Sequence, residues 1–236
     1  MRIMDGQLVA FMGDSITEHL VAVSDWMETQ TDGLPPIGTR VHVDRHENRG
    51  WTAMLANRLQ LTYPERHIRY INAGIGGNSS RQMMARFDAD VLAHQPQWLL
   101  LSAGVVEVRR TYQPDHASER VPLDEYVANL TIITSKALKV GMEVILLEPT
   151  PHARAVTDSP LEVTLQDVNN LTRQYAMAMA QVAQKTEVGF VSLFETFLEI
   201  ENRLPGRASL YADEVHLNAR GDLLYSQLVY QYLDER

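Results

Sequence analysis

Three short stretches combine residue types that can carry out nucleophilic chemistry. Gly13-Asp14-Ser15-Ile16-Thr17 follows an apolar run. A serine in a strand-to-helix turn exposes its hydroxyl above the sheet, and its N–H lies where the partial positive charge of a helix start favours an oxyanion. The same residues also read as a plain turn with a serine or threonine cap. Tyr211-Ala212-Asp213-Glu214-Val215-His216-Leu217-Asn218 holds an acid and a histidine three positions apart. A serine nucleophile needs a base to take its proton, and the base needs a partner to hold its tautomer. A lone Asp-x-x-His is equally ordinary polar surface. Asn72-Ala73-Gly74-Ile75-Gly76-Gly77-Asn78-Ser79 carries three glycines. They allow close backbone approach to a ligand and can aim an N–H at developing negative charge. The plainer alternative is a tight turn before a helix capped by Asn78 or Ser79. A dinucleotide fingerprint fits worse, because the third glycine of that motif is absent.

The first and the glycine-rich stretch sit at the ends of apolar runs. Leu8–Met12, His67–Asn72, Trp98–Leu101, Val144–Leu147 and Val188–Leu193 read as buried strands. Between them lie helical patterns over 51–63, 79–93, 162–185 and 218–233. The clearest follows Pro122, where Leu123, Tyr126, Leu130, Ile133 and Ala137 recur at three- and four-residue spacing and Gly141 offers a cap. Strand–helix alternation predicts one α/β domain over 1–236: a three-layer α/β/α, flavodoxin-like fold around a five-stranded parallel sheet. Ligands of such sheets sit beyond the carboxyl ends of the strands, which is where the first and the glycine-rich stretch lie; the Asp213–His216 stretch lies near the C-terminus.

Composition narrows the function classes. The chain has 236 residues, enough for a sizeable core in one domain. Hydrophobic residues make up 45% and charged residues 22%, a globular balance. No window approaches the roughly 20 apolar residues of a transmembrane helix. The first apolar run is too short for a signal-peptide core and no cleavage site follows it, so the expected location is the cytoplasm. The net charge of −9, with basic residues scattered, argues against nucleic acid and anionic membrane surfaces as partners. A neutral or cationic small molecule fits better, and a homo-oligomer stays open. The absence of cysteine excludes disulfides, thiolate metal sites and cysteine nucleophiles.

Taken together, the three stretches resemble the SGNH/GDSL hydrolase superfamily. Gly13–Thr17 matches the block that carries the nucleophile, Asn72–Gly77 the block whose final glycine donates to the oxyanion, and Asp213 with His216 the block of orienter and base. The resemblance implies Ser15, His216 and Asp213 as catalytic residues and the N–H groups of Ser15 and Gly77 as the oxyanion hole. It implies neither cofactor nor metal. Tyr63-Pro64-Glu65-Arg66, Pro96-Gln97-Trp98 and Pro122–Tyr126 look closest to the bacterial acetylxylan-esterase-like branch. The implied activity is hydrolysis of short acyl esters, acetyl foremost, with a carbohydrate as candidate carrier.

One block departs from the pattern. Where the superfamily has Gly-x-Asn-Asp, this chain reads Gly104-Val105-Val106-Glu107. The superfamily's asparagine side chain donates to the oxyanion, and valine cannot. Loss of one such donor costs about 2.7–4 kcal/mol, or roughly 10²–10³ in turnover. The expectation is a slow esterase, with Asn78 as a candidate replacement. The alternative is a non-catalytic, ligand-binding descendant of the fold, favoured by Val106 and Glu107 and opposed by the intact Ser–His–Asp set. Nucleotide binding ranks below both, because no phosphate loop is present.

Asp14, Asn78, Val106, Glu107 and His152 are further candidates for substrate contact; His152 follows the fourth strand at the sheet end where ligands bind. Arg109 and Arg110 either contact substrate or form a solvated charge pair. Trp26, Trp51 and Tyr112 could stack on a sugar, although Trp51 fits a core pattern better. The 18–50 excursion lacks the apolar stripe of a lipase lid, which argues against long acyl chains. Within it, His42-x-Asp44-x-His46 would share one face of an extended segment, but scattered polar loop residues are the simpler reading.

Overall fold

The computed structural model describes residues 1–18, the backbone of 41–42, and residues 50–156, 159, 162–204 and 209–234. Six strands form one sheet: β1 (Leu8–Gly13), β2 (Val41–His42), β3 (Arg69–Gly74), β4 (Trp98–Ser102), β5 (Glu143–Leu147) and β6 (Gly189–Val191), in the order β2-β3-β1-β4-β5-β6. The five expected strands are all present and mutually parallel. A two-residue sixth strand, β2, is added antiparallel at the β3 edge. Eight helices are described: α1 (Ser15–Glu18), α2 (Gly50–Thr62), α3 (Ser80–Asp90), α4 (Val105–Thr111), α5 (Leu123–Lys139), α6 (Leu165–Thr186), α7 (Phe194–Arg203) and α8 (Ala219–Asp234). None among the described residues is long and apolar enough to cross a membrane.

Side-chain alternation divides the core into two layers. Val9 and Phe11 of β1 and Leu100 of β4 join Trp51, Leu55 and Leu59 of α2, Phe197 of α7, and Tyr225, Val229 and Leu233 of α8. Leu8, Ala10 and Met12, with Leu99 and Leu101, face the other way onto Met83 and Phe87 of α3, Tyr126 and Leu130 of α5, and Val168 and Met179 of α6. Both faces of the sheet are therefore covered, which is why the strand runs are apolar throughout. The α5 helix stops as expected: Gly141 adopts φ of 83° and the Met142 N–H returns to the Ala137 carbonyl.

Strand order makes β1 the place where the chain reverses its direction of travel across the sheet. The chain crosses to β3 on one side of β1 and then to β4 on the other. The connections leave β1 and β4 in opposite directions and open a crevice above their carboxyl ends. Ser15 follows β1, and Gly104 follows β4.

The C-terminal helix α8 brings the far end of the chain to the same crevice. It packs along α2, where Trp51 and Tyr225 stack with ring centroids 4.5 Å apart and the Trp51 N–H donates to Asp222 Oδ1 at 3.1 Å. Asn218 fastens the start of α8. Its Oδ1 accepts from the N–H groups of Arg220 and Gly221, while its Nδ2 donates to the carbonyls of Ser209 and Tyr211. Gly221 lets that loop lie close against the helix, since a Cβ there would stand 2.2 Å from the Leu210 carbonyl oxygen. We therefore expect Gly221→Ala to destabilise the fold by about 1–3 kcal/mol, as overpacking against backbone does. A urea midpoint unchanged from wild type would contradict this.

Candidate active site

The turn after β1 is built to display Ser15. Gly13 leaves no room for a side chain, because a Cβ would lie 2.1 Å from Thr17 Oγ1. The Asp14 carbonyl accepts from the Thr17 and Glu18 N–H groups, and Asp14 Oδ1 accepts from the Ile16 N–H at 2.9 Å. These bonds fold Ser15–Glu18 into the single turn of α1, with Ser15 at its first position.

The 209–218 loop delivers the other two groups. A bridge pairs Tyr211 with Leu217, and the Ala212 N–H donates to the His216 carbonyl at 2.8 Å. Inside this loop Asp213 Oδ1 accepts from the backbone N–H groups of Val215 and His216 at 2.9 and 2.8 Å. Its second oxygen lies 2.6 Å from His216 Nδ1. His216 Nε2 lies 2.9 Å from Ser15 Oγ. Ser15, His216 and Asp213 thus form one continuous chain of hydrogen bonds.

Protonation follows from the partners. Burial pushes the Asp213 carboxyl upward, but the N–H groups of Val215 and His216 and the imidazole outweigh it and hold the group below its ordinary value. An ionised carboxylate only accepts, so His216 Nδ1 carries the proton and Nε2 presents a lone pair to the serine hydroxyl. That is the tautomer a general base requires.

The glycine-rich loop 74–79 stands beside Ser15 and is held on every side. Asn72 Nδ2 donates to the Thr17 carbonyl, and Asn72 Oδ1 accepts from the Gly74 N–H, both at 2.8 Å. The Ile75 N–H donates to the Gly13 carbonyl at 3.1 Å, and the Gly76 N–H to Glu18 Oε2 at 2.6 Å. Arg86 on α3 reaches the Ala73 carbonyl at 2.7 Å, Asn78 Oδ1 at 2.8 Å and the Gly13 carbonyl at 3.2 Å, with Asp90 paired to it at 2.8 Å. One guanidinium therefore ties the nucleophile turn to the glycine-rich loop. Gly77 adopts φ of 73°, a left-handed conformation that disfavours a side chain. Among the described residues no acceptor lies on the N–H of Ser15 or of Gly77.

Several expected substrate contacts take other roles. Glu107 is fully buried; it accepts from the Ser80 N–H at 2.5 Å and the Gly104 N–H at 3.1 Å, joining the starts of α3 and α4. Asp14 is buried beneath its own turn. His152 is buried too, its backbone paired both ways with the Asn169 amide and its Nδ1 3.3 Å from Thr172 Oγ1. Burial, with Arg109 adding to it, drives its imidazole down to about 3, so it is neutral. All three are buried and bonded within the protein. The oxygen of Asn78 is committed to Arg86. Val106 stands in the third block as expected, buried and without a donor.

Arg109 and Arg110 do not form a solvated pair: Arg109 lies 3.6 Å from Glu214, and Arg110 3.2 Å from Glu119. Trp51 belongs to the core, edge-on to Phe11. Tyr112 bonds the Asp167 carbonyl. Trp26, Asp44, His46 and the side chain of His42 fall outside the described residues. Among the described residues no group of three or more acidic or histidine side chains could hold a metal ion. Glu18 and Arg86, central to the loop's support, carried no motif that singled them out.

The GDSL-like Lipase/Acylhydrolase family model matches residues 11–224. The chain is 29% identical over 228 residues to the acetylxylan esterase of Geobacillus stearothermophilus, covering 96% of this chain and 94% of that protein. The crystal structure of Axe2, an acetylxylan esterase from the same organism, superposes with a TM-score of 0.79 at 28% identity, over 99% of this chain and 97% of that one. Axe2 variants at a serine, an aspartate and a histidine are described as catalytic mutants. LAE5, an alpha/beta hydrolase from the metagenome of Lake Arreo, shares the fold at 22% identity, with a TM-score of 0.73 over 98% of this chain and 94% of that one.

The buried Asp14 gives the site a pH signature. Burial raises its carboxyl from 3.8 to about 7, and the nearby Glu107 adds to the shift. Between those values the native state keeps a proton that the unfolded chain has released. Stability from this group is therefore full below pH 3.8, falls as pH rises, and is lost above about 7. Asp14→Asn keeps the acceptor for Ile16 and removes the titration. Melting temperatures from about pH 4 to pH 8 should fall less steeply in the variant than in wild type. Parallel curves would contradict the shift.

Proposed function

This chain belongs to the GDSL-like lipase/acylhydrolase family, and we propose that it is a serine esterase hydrolysing short acyl esters, acetyl esters foremost, carried on a carbohydrate. The observation that carries the reading is the chain of contacts from Ser15 Oγ to His216 Nε2 at 2.9 Å and from His216 Nδ1 to Asp213 Oδ2 at 2.6 Å. The likeness to an acetylxylan esterase supports the acetyl group and the sugar.

His216 takes the Ser15 proton as Oγ attacks the ester carbonyl. Negative charge develops on the carbonyl oxygen and is met by the Ser15 and Gly77 N–H groups, whose positions are set before the reaction by the bonds around loop 74–79. Imidazolium then protonates the departing alcohol, leaving Ser15 acylated. Water, deprotonated by the same imidazole, attacks the acyl carbon; as the tetrahedral species collapses the imidazolium returns that proton to Ser15 Oγ, and the released acid loses its own proton to solvent. Asp213 stays ionised throughout and holds the imidazole in register. The second reading, a ligand-binding protein without turnover, draws on Val106, which cannot donate.

Ser15→Ala is expected to lower turnover of an acetyl ester by about 10⁴-fold or more with the circular dichroism spectrum unchanged. A serine-directed fluorophosphonate should label the wild-type chain and not the variant. Acetyl and butyryl esters should have higher kcat/KM than esters of about twelve carbons, since the 18–50 excursion offers no apolar stripe. Unlabelled wild type would favour the ligand-binding reading, and a preference for long chains would overturn the acyl assignment.

A further inference from the structure

We propose that Arg110 supplies the oxyanion contact that Val106 cannot make. The inference rests on the esterase reading above and concerns the same site. Arg110 and Val106 lie four residues apart on α4, so they share one face of the helix, one turn apart. Helical side chains lean toward the helix N-terminus, the end of α4 at which Val106 stands.

Its reach is recorded at the oxyanion loop. A methyl group placed on Gly77 would stand 3.6 Å from Arg110 Nη2. The guanidinium therefore stands beside the residue whose N–H is the second backbone donor. It is also held still. Nη1 donates to Gln113 Oε1 at 3.2 Å, and Nη2 lies 3.2 Å from Glu119 Oε2. Glu119 is fixed in turn by His116 Nδ1 at 2.8 Å. The side chain is only 18% exposed. A guanidinium has five N–H donors, and these two contacts leave others for a ligand.

The physical advantage is the kind of donor. A charged N–H makes a shorter and stronger hydrogen bond to an anionic oxygen than a neutral amide does. A guanidinium anchored by Gln113 and Glu119 needs little reorganisation when charge develops. Its contact gains strength as the carbonyl oxygen becomes anionic, so its contribution belongs to turnover more than to substrate binding.

The test is a double-mutant cycle on 4-nitrophenyl acetate with wild type, Arg110→Met, Val106→Asn and the double variant. Arg110→Met should lower kcat by at least tenfold, toward the roughly 10²–10³-fold effect of one lost donor, with KM within about threefold. Val106→Asn should raise turnover less in the wild-type background, where Arg110 already meets the oxyanion, than where Arg110 is absent. In the Arg110→Met background the same substitution should recover about tenfold or more, because the amide then fills an empty position. Arg110→Lys keeps the charge without the fork and should fall between; if Arg110→Met does not fold, the cycle is run with lysine.

Turnover unchanged by Arg110→Met, an effect confined to KM, or equal gains from Val106→Asn in both backgrounds would each overturn the assignment. Wild-type hydrolysis that survives Ser15→Ala would overturn the esterase reading, and the oxyanion assignment with it. Ser15-dependent hydrolysis indifferent to Arg110 overturns the assignment alone.

Discussion

The contact between His216 Nε2 and Ser15 Oγ joins residues 201 positions apart, and its 2.9 Å length sets a tolerance that the whole architecture has to meet. One partner is placed by the central strand β1, paired on both sides by β3 and β4. The other hangs from a loop that, among the described residues, is paired by a single bridge. That loop is positioned through α8. The stacking of Trp51 on Tyr225 and the buried bond from the Trp51 N–H to Asp222 set how α8 lies along α2. Asn218 and Gly221 then pin the loop to the helix start. A second tie runs from the Ala153 N–H to the Glu214 carbonyl at 2.7 Å, linking the loop to the segment after β5.

Around the oxyanion position the same problem is solved with buried polar side chains. Regular pairing ends where β3 ends, so loop 74–79 depends on Asn72, Glu18 and Arg86 for its shape. Glu107 joins that loop's helix to the turn at Gly104. Such groups are costly to bury unless each finds its partner, and here they do. Glu107 shows the cost: burial raises its carboxyl even as it accepts from Ser80 and Gly104. The shape of the site thus rests on a shell of polar residues bonded to backbone and to one another.

Much of this was legible in the chain. Five apolar runs separated by helical patterns led directly to the parallel sheet, and two short stretches far apart in the chain led to Ser15, Asp213 and His216, which the fold brings into contact. What periodicity could not show was which polar residues face inward. Asp14, Glu107 and His152 drew notice because they follow strands, and the structure adds that all three are buried. Arg86 lies within an amphipathic helix and carries no local signal; only the sheet register brings it under Gly13 and Ala73. The short strand β2, two residues long, is below what alternation can detect. Helix α4 is a single valine-rich stretch of seven residues, with weak helical preference of its own. Helix α7 carries a readable signal, Phe194, Phe197 and Ile200 at three-residue spacing, although no helix is among the expected elements there.

The centre of the account is that Ser15 carries the acyl group between two half-reactions, with one imidazole serving both. Quenching the protein in acid during turnover of an acetyl ester, digesting it and weighing the peptides tests this directly. The account predicts one added acetyl group on the peptide containing Ser15, appearing before steady state and disappearing once substrate is exhausted. Steady hydrolysis with no acetyl group on Ser15 at any time point, or with the group on another side chain, would contradict it.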